Sequence, residues 1–249
     1  MSYASVNGID LYYEVHGDAR AGARPLVLLH GGLMTIGLTF GPLLGPLAEG
    51  RQLIAVELQG HGHTADTERP MTIETLAGDV VALLDQLEVG QADLFGFSLG
   101  GLVSYAVALR APSRTGRVIV ASADAHRPPG RESAPISQDR LPTMADFQAM
   151  QAAYVAVAPD PGQFEKSAAR TTAMVHEVPG LTAEQLAALR APTLLIFGDR
   201  DFSPLADVTE LYGLLPDARL AVLPGTTHMD VPRRPELLRA LVTAFLDER

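Results

Sequence analysis

Three side-chain types set far apart in this 249-residue chain could together break a carbonyl bond. The first is a serine between glycines, in Gly96-Phe97-Ser98-Leu99-Gly100. A serine hydroxyl attacks a carbonyl only when a base takes its proton, and the base needs an acid to orient it. The G-x-S-x-G pattern acquires chemical meaning where a buried strand turns sharply into a helix. Glycines permit the turn, the hydroxyl stands above the sheet edge, and the helix amino terminus offers N–H groups to developing negative charge. The apolar run 92–97 before Ser98 and the helical pattern 98–110 after it supply that setting. His228, in "VLPGTTHMDVPRRPELL", follows the last expected strand and precedes the last expected helix, on the same side of a sheet as Ser98. Between them, "LLIFGDRD" supplies Asp199 and Asp201 after the run 192–197. Asp201 is the favoured acid, with a capping role for the other at the helix near Pro204. Asp124, after the run 117–122, is the reserve.

An acyl-transfer intermediate also needs two N–H donors on its oxyanion. Leu99, directly after the serine, offers one; the loop "LLHGGLMT" (28–35) offers the other, from Gly32 or, as the alternative, Leu33. His30 in that loop reads as a structural hydrogen-bonding residue. His61 and His63 alternate with glycines, but no carboxylate or further histidine at ligand spacing completes a site, so no metal is expected. The chemistry requires no cofactor.

The elements that must position these groups are legible as runs. Asn7-Gly8 between "YASV" and "IDLYYEV" predicts a two-residue hairpin. Apolar runs without alternation at 25–29, 51–56, 92–97, 117–122, 192–197 and 218–223 suit strands buried on both faces. Helical periodicity lies between several of them, at 72–89, 98–110 and 235–249. Alternating strands and helices argue for an open, doubly wound sheet. About seventy residues between the runs at 117–122 and 192–197 break the rhythm. A polar, proline-bearing stretch (124–142) leads into a helix over 143–159, capped by Thr143 and Asp146, then a second piece near 162–176 and a helix over 181–190. Residues 125–180 are therefore expected to form a helical lid within one domain spanning 1–249. Met144, Phe147, Met150, Tyr154, Val155, Phe164 and Met174 could roof the serine, with Leu33 and Met229 beside it.

Composition narrows the field. Hydrophobic residues at 47% and charged ones at 19% fit a globular chain. A formal net charge of −10 argues against nucleic acid as a partner. The absence of cysteine removes disulfides, thiolate zinc sites and a cysteine nucleophile together. The beginning, "MSYASVNGIDLYYEV", lacks a basic region followed by an apolar stretch, and no run approaches the ~20 apolar residues of a membrane span. A cytoplasmic location is expected, and a homodimer is left open.

With "HGG" (30–32), "VELQGHGHT" (56–64), "GFSLGG" (96–101), "GDRD" (198–201) and His228 ahead of "RRPELL", the chain resembles the α/β-hydrolases, in their serine hydrolase branch, over nearly its full length. The resemblance implies a mostly parallel eight-stranded sheet flanked by helices, with a helical lid after the sixth strand. It carries a triad onto Ser98, Asp201 and His228. The family's D-x-x-G-x-G-x-S stretch departs here at its ends, where Glu57 and Thr64 stand. Serine at 98 argues against epoxide hydrolases and haloalkane dehalogenases, which use an aspartate nucleophile. The absence of tryptophan argues against carbon–carbon bond hydrolases. "AVELQGHGHTAD" (55–66) is similar to hydrolases that open macrolide lactones. The methionine-bearing roof suits a bulky hydrophobic ester or lactone. A carbon–carbon hydrolase, a perhydrolase or haloperoxidase-like enzyme, and a hydrophobic-ligand receptor of the same fold are the alternatives.

Overall fold

Asn7 and Gly8 both adopt left-handed backbone (φ 47° and 84°), closing a two-residue turn between β1 (Ser2–Val6) and β2 (Ile9–His16). The computed structural model describes residues 2–20, 22–126 and 136–248; part of the expected lid, 127–135, lies outside them. The other strands are β3 (Leu26–Leu29), β4 (Leu53–Val56), β5 (Ala92–Phe97), β6 (Thr115–Ala121), β7 (Thr193–Arg200) and β8 (Ala218–Thr227). Among the described residues they form one eight-stranded sheet in the order β1-β2-β4-β3-β5-β6-β7-β8. Only the β1–β2 and β2–β4 pairings are antiparallel.

The apolar runs are explained by burial on both faces. Every residue of β3, β4 and β5 is buried. Period-2 alternation then sends neighbours to opposite layers. Val27, Leu29, Leu94 and Val120 pack with α2 (Ile73–Gln86), α3 (Leu99–Arg110) and α7 (Leu205–Leu214). Leu26, Leu28, Phe95 and Ile119 pack with α1 (Ile36–Ala48) and α8 (Pro235–Leu246). The order of β3, β4 and β5 positions the site. The chain leaves β3, forms β4 on one side, and returns to form β5 on the other. The segments after β3 and β5 therefore emerge side by side at the carboxyl ends, at the switch point of the sheet.

Helix α1 was not among the expected elements, and two strand ends differ from expectation. Helix α1 forms although Pro42 and Pro46 lie within it. Burial of Ile36, Phe40, Leu43 and Leu47 on one stripe outweighs the lost backbone bonds, and the Thr35 hydroxyl caps the start by accepting Leu38 N–H at 3.2 Å. Strands β7 and β8 run on past the expected ends to Arg200 and Thr227, so Asp199 lies inside β7 rather than after it.

Between β6 and β7 lie α4 (Met144–Val157), α5 (Phe164–Glu177) and α6 (Ala183–Ala188). Thr143 and Asp146 form the expected capping box of α4. Arg233 donates to Asp146 from the segment before α8. On α5, Arg170 donates to Asp66 at 2.5 and 2.6 Å, to Thr67 O at 2.6 Å and to Arg69 O at 2.8 Å. Among the described residues no helix is long and apolar enough to cross a membrane.

Candidate active site

Ser98 stands between β5 and α3 with φ 51° and ψ −115°, a left-handed conformation that non-glycine residues rarely hold. The residues two positions to either side must be glycine. A Cβ on Gly96 would lie 2.1 Å from Gly100 O, and one on Gly100 would lie 2.0 Å from Leu29 O. The turn is tied to both adjoining strands: Ser98 N–H donates to Ala121 O at 2.8 Å, and Gly100 N–H to His30 O at 3.0 Å. The strand-to-helix turn read from the sequence is thus present, and the loop after β3 is bonded directly to it.

Sheet register delivers the other two groups. Arg200 of β7 pairs with Thr227 of β8, so Asp201 and His228 leave the sheet next to each other. The close approach of the two strands depends on Gly198, whose added Cβ would meet Thr226 O at 1.9 Å. Asp199 fastens the same place by accepting Thr226 N–H at 3.1 Å. That replaces the capping role considered for it at α7, which begins after Pro204 without a side-chain cap.

His228 Nδ1 lies 2.7 Å from Asp201 Oδ1, and His228 Nε2 lies 3.0 Å from Ser98 Oγ. Asp201 is buried, and burial opposes its charge. Its interaction with His228, together with the hydrogen bonds from His228, Ser122 and Phe202 N–H, outweighs that and holds the carboxyl below its ordinary value. The two donors on Oδ1 are His228 Nδ1 and Phe202 N–H at 2.7 Å each; Oδ2 accepts the Ser122 hydroxyl at 2.5 Å. The Phe202 ring stacks on the imidazole, centroids 4.0 Å apart and planes 10° from parallel. Asp124 instead accepts His126 N–H at 3.0 Å.

Ser98 and His228 open into a cavity of about 550 Å³, whose wall includes Gly32, Leu33, Leu99, Phe147, Met150 and Met229. Of the seven expected roof residues, Phe147 and Met150 are on that wall, whereas Met144, Tyr154, Val155, Phe164 and Met174 are not. Met144 is the first residue of α4, 73% exposed and outside the cavity wall. Tyr154 is turned inward against Phe164, ring centroids 5.5 Å apart, and joins α4 to α5. Val175, one residue after Met174, is on the wall instead. Ser122 and Phe202, both touching Asp201 or His228, were not among the expected site residues. Their signal is positional: one follows β6 directly, the other follows the acid.

The three histidines in the loops after β3 and β4 are bonded within those loops. His30 Nε2 accepts Leu58 N–H at 3.1 Å while Nδ1 faces Gly31 O at 2.8 Å, and burial, with His61 nearby, pushes its pKa down to about 3. His61 Nδ1 lies 2.9 Å from Gln59 O. Glu57 accepts His63 N–H at 2.6 Å and Ile36 N–H at 3.2 Å, and the Thr64 hydroxyl donates to Glu57 O at 2.6 Å. The departures at 57 and 64 therefore shape a loop and carry the start of α1.

A mostly parallel sheet with serine, histidine and aspartate converging at its carboxyl edge defines a hydrolase-type α/β protein. The chain belongs to the alpha/beta hydrolase family, whose model matches residues 26–241. It is 25% identical to the uncharacterized hydrolase YugF of Bacillus subtilis, over 97% of this chain and 96% of that one. It is 28% identical to the putative carbamate hydrolase RutD of Caulobacter sp., over 99% of this chain and 98% of that one. The crystal structure of the enol-lactonase from Burkholderia xenovorans LB400 superposes with a TM-score of 0.77 at 24% identity, covering 99% of this chain and 100% of that one.

Proposed function

We propose that this chain is a serine hydrolase that cleaves a carboxylic ester or lactone of a hydrophobic small molecule through an acyl-enzyme. The observation that carries the reading is the continuous line of contacts from Asp201 Oδ1 through His228 to Ser98 Oγ, at 2.7 and 3.0 Å, opening into a largely apolar cavity. His228 Nε2 takes the hydroxyl proton as Ser98 Oγ attacks the carbonyl carbon. Asp201 fixes the tautomer and stabilises the imidazolium. The oxyanion is received by Leu99 N–H and Gly32 N–H. Gly100 N–H is already engaged by His30 O and Gly101 N–H by Ser98 O, and a Cβ on Gly32 would lie 3.8 Å from Leu99 Cβ, so these two backbones adjoin. Collapse of the intermediate expels the alcohol, protonated by His228. Water, activated by the same nitrogen, then releases the acid.

Residues 125–180 act as a lid on a single domain and select the substrate through Phe147 and Met150. A carbamate carbonyl would meet the same three side chains, so an aryl carbamate belongs in the substrate series. The test is hydrolysis of p-nitrophenyl esters from acetate to decanoate by wild type and Ser98→Ala. Turnover that vanishes in the variant is expected, with a chain-length optimum set by the cavity. Equal rates in the two proteins would contradict the reading.

A further inference from the structure

Ser122 lies where only its hydroxyl calls for a serine. It follows β6 directly and has φ 56°, left-handed backbone that glycine would hold without strain. It is buried at 6% exposure, and its N–H still donates to Ile196 O on β7 at 2.8 Å. The preceding residue, Ala121, accepts Ser98 N–H at 2.8 Å. Two consecutive residues at the end of β6 thus grip the serine turn on one side and the acid on the other.

Resting on the triad reading above, we infer that Ser122 is a positioning residue for hydrolysis: its hydroxyl, donated to Asp201 Oδ2, holds the carboxylate with Oδ1 turned to His228. The division of donors carries the argument. Oδ1 has two, from His228 and Phe202 N–H, whereas the hydroxyl of Ser122 is the donor on Oδ2. Asp201 is 1% exposed, so water does not replace a lost donor at ordinary exposure. Without the hydroxyl, Oδ2 is buried with its charge uncompensated. The carboxylate then gains a proton more readily and holds the imidazolium more tightly at the same time. Both effects move the acid limb of the pH–rate profile, which belongs to the Asp201–His228 pair, to higher pH. Among the described residues, the other charges near Asp201 do not supply a substitute. Arg140 Nη1 lies 3.5 Å from Asp201 O on the backbone, Arg200 is engaged with Asp139, and Asp199 with Thr226 N–H.

The test needs no natural substrate. A fluorophosphonate reacts by forming a bond between Ser98 Oγ and phosphorus, with loss of fluoride and transfer of the hydroxyl proton to His228. Its second-order labelling rate is measured across pH for wild type, Ser98→Ala, Ser122→Gly and Ser122→Ala. Glycine removes the hydroxyl and relieves the backbone; alanine removes the hydroxyl and keeps the strain. The expected result is labelling of wild type at Ser98, at least about tenfold slower labelling of both Ser122 variants, and an acid limb raised by about one pH unit in both. Labelling of Ser122→Gly and Ser122→Ala at the wild-type rate would overturn the inference. So would slower labelling with an unmoved acid limb, which marks a packing role. Failure of wild type to label at Ser98 would instead overturn the triad reading itself.

Discussion

Ser98 pays for its reach in backbone strain, and that makes a prediction at the scale of one residue. With φ 51° and ψ −115°, glycine suits the position better than any side chain. Ser98→Gly should raise unfolding free energy by about 1 kcal/mol while abolishing turnover. Urea denaturation of Ser98→Gly beside Ser98→Ala measures it, and a loss of stability in the glycine variant would contradict the strain. Asp201→Asn should keep the fold and reduce kcat by about a thousandfold or more, because the amide presents a donor where His228 Nδ1–H needs an acceptor; steady-state kinetics check this. The convergence of Ser98, Asp201 and His228 was legible because the strand-to-helix setting of the serine and the strand ends before the other two place all three at one sheet edge. Phe202 was not, since a stacked ring leaves no periodic trace. Ser122 was not, since its role depends on a left-handed turn and on the neighbouring strand. Met144 was misplaced because helical spacing says which residues share a face but not how the helix is rotated over its neighbour.

At the scale of elements, the segments over the cavity are held by arginine–carboxylate pairs. Arg170 on α5 meets Asp66, whose side chain is 3% exposed, across the β4–α2 connection. Arg170→Ala leaves that carboxylate with less compensation and frees the helix that carries Thr171 and Val175 of the cavity wall. KM should rise several-fold with a smaller change in kcat, and amide exchange should quicken over Phe164–Glu177. Unchanged exchange there would contradict the anchoring. On α4, Asp146 is opposed by burial but held below its ordinary value of 3.8 by Arg233 and Thr143. A carboxyl depressed in the folded state contributes stability above its unfolded value and loses it as pH falls through the folded value. Asp146→Asn should therefore be less stable than wild type at neutral pH, and the difference should shrink as pH falls below 3.8; thermal melts across that range decide it. The capping box of α4 was readable from Thr143 and Asp146, because capping is local. Helix α1 was not, because Pro42 and Pro46 signal a break and only the tertiary stripe of Ile36, Phe40, Leu43 and Leu47 overrides them. The prolonged β7–β8 pairing was equally hidden, since Gly198 and Asp199 read as turn residues until the partner strand is in place.

At the scale of the whole molecule, the sheet order brings the loop after β3 and the turn after β5 together, while the register of β7 with β8 brings Asp201 and His228 together. The strands were legible as apolar runs because a parallel sheet covered by helices buries both faces. The net charge of −10 also acts at this scale. A neutral ester should be hydrolysed with higher kcat/KM than its anionic hemisuccinate counterpart, and added salt should narrow the gap by screening; a gap indifferent to salt would assign the preference to the cavity alone. The most direct test of the account is mass spectrometry of the protein acid-quenched during the first turnovers of p-nitrophenyl acetate. The account predicts one added acetyl group on the peptide carrying Ser98, absent from Ser98→Ala. Turnover without any adduct on that peptide, or an acetyl group on another residue while Ser98→Ala remains active, would contradict it.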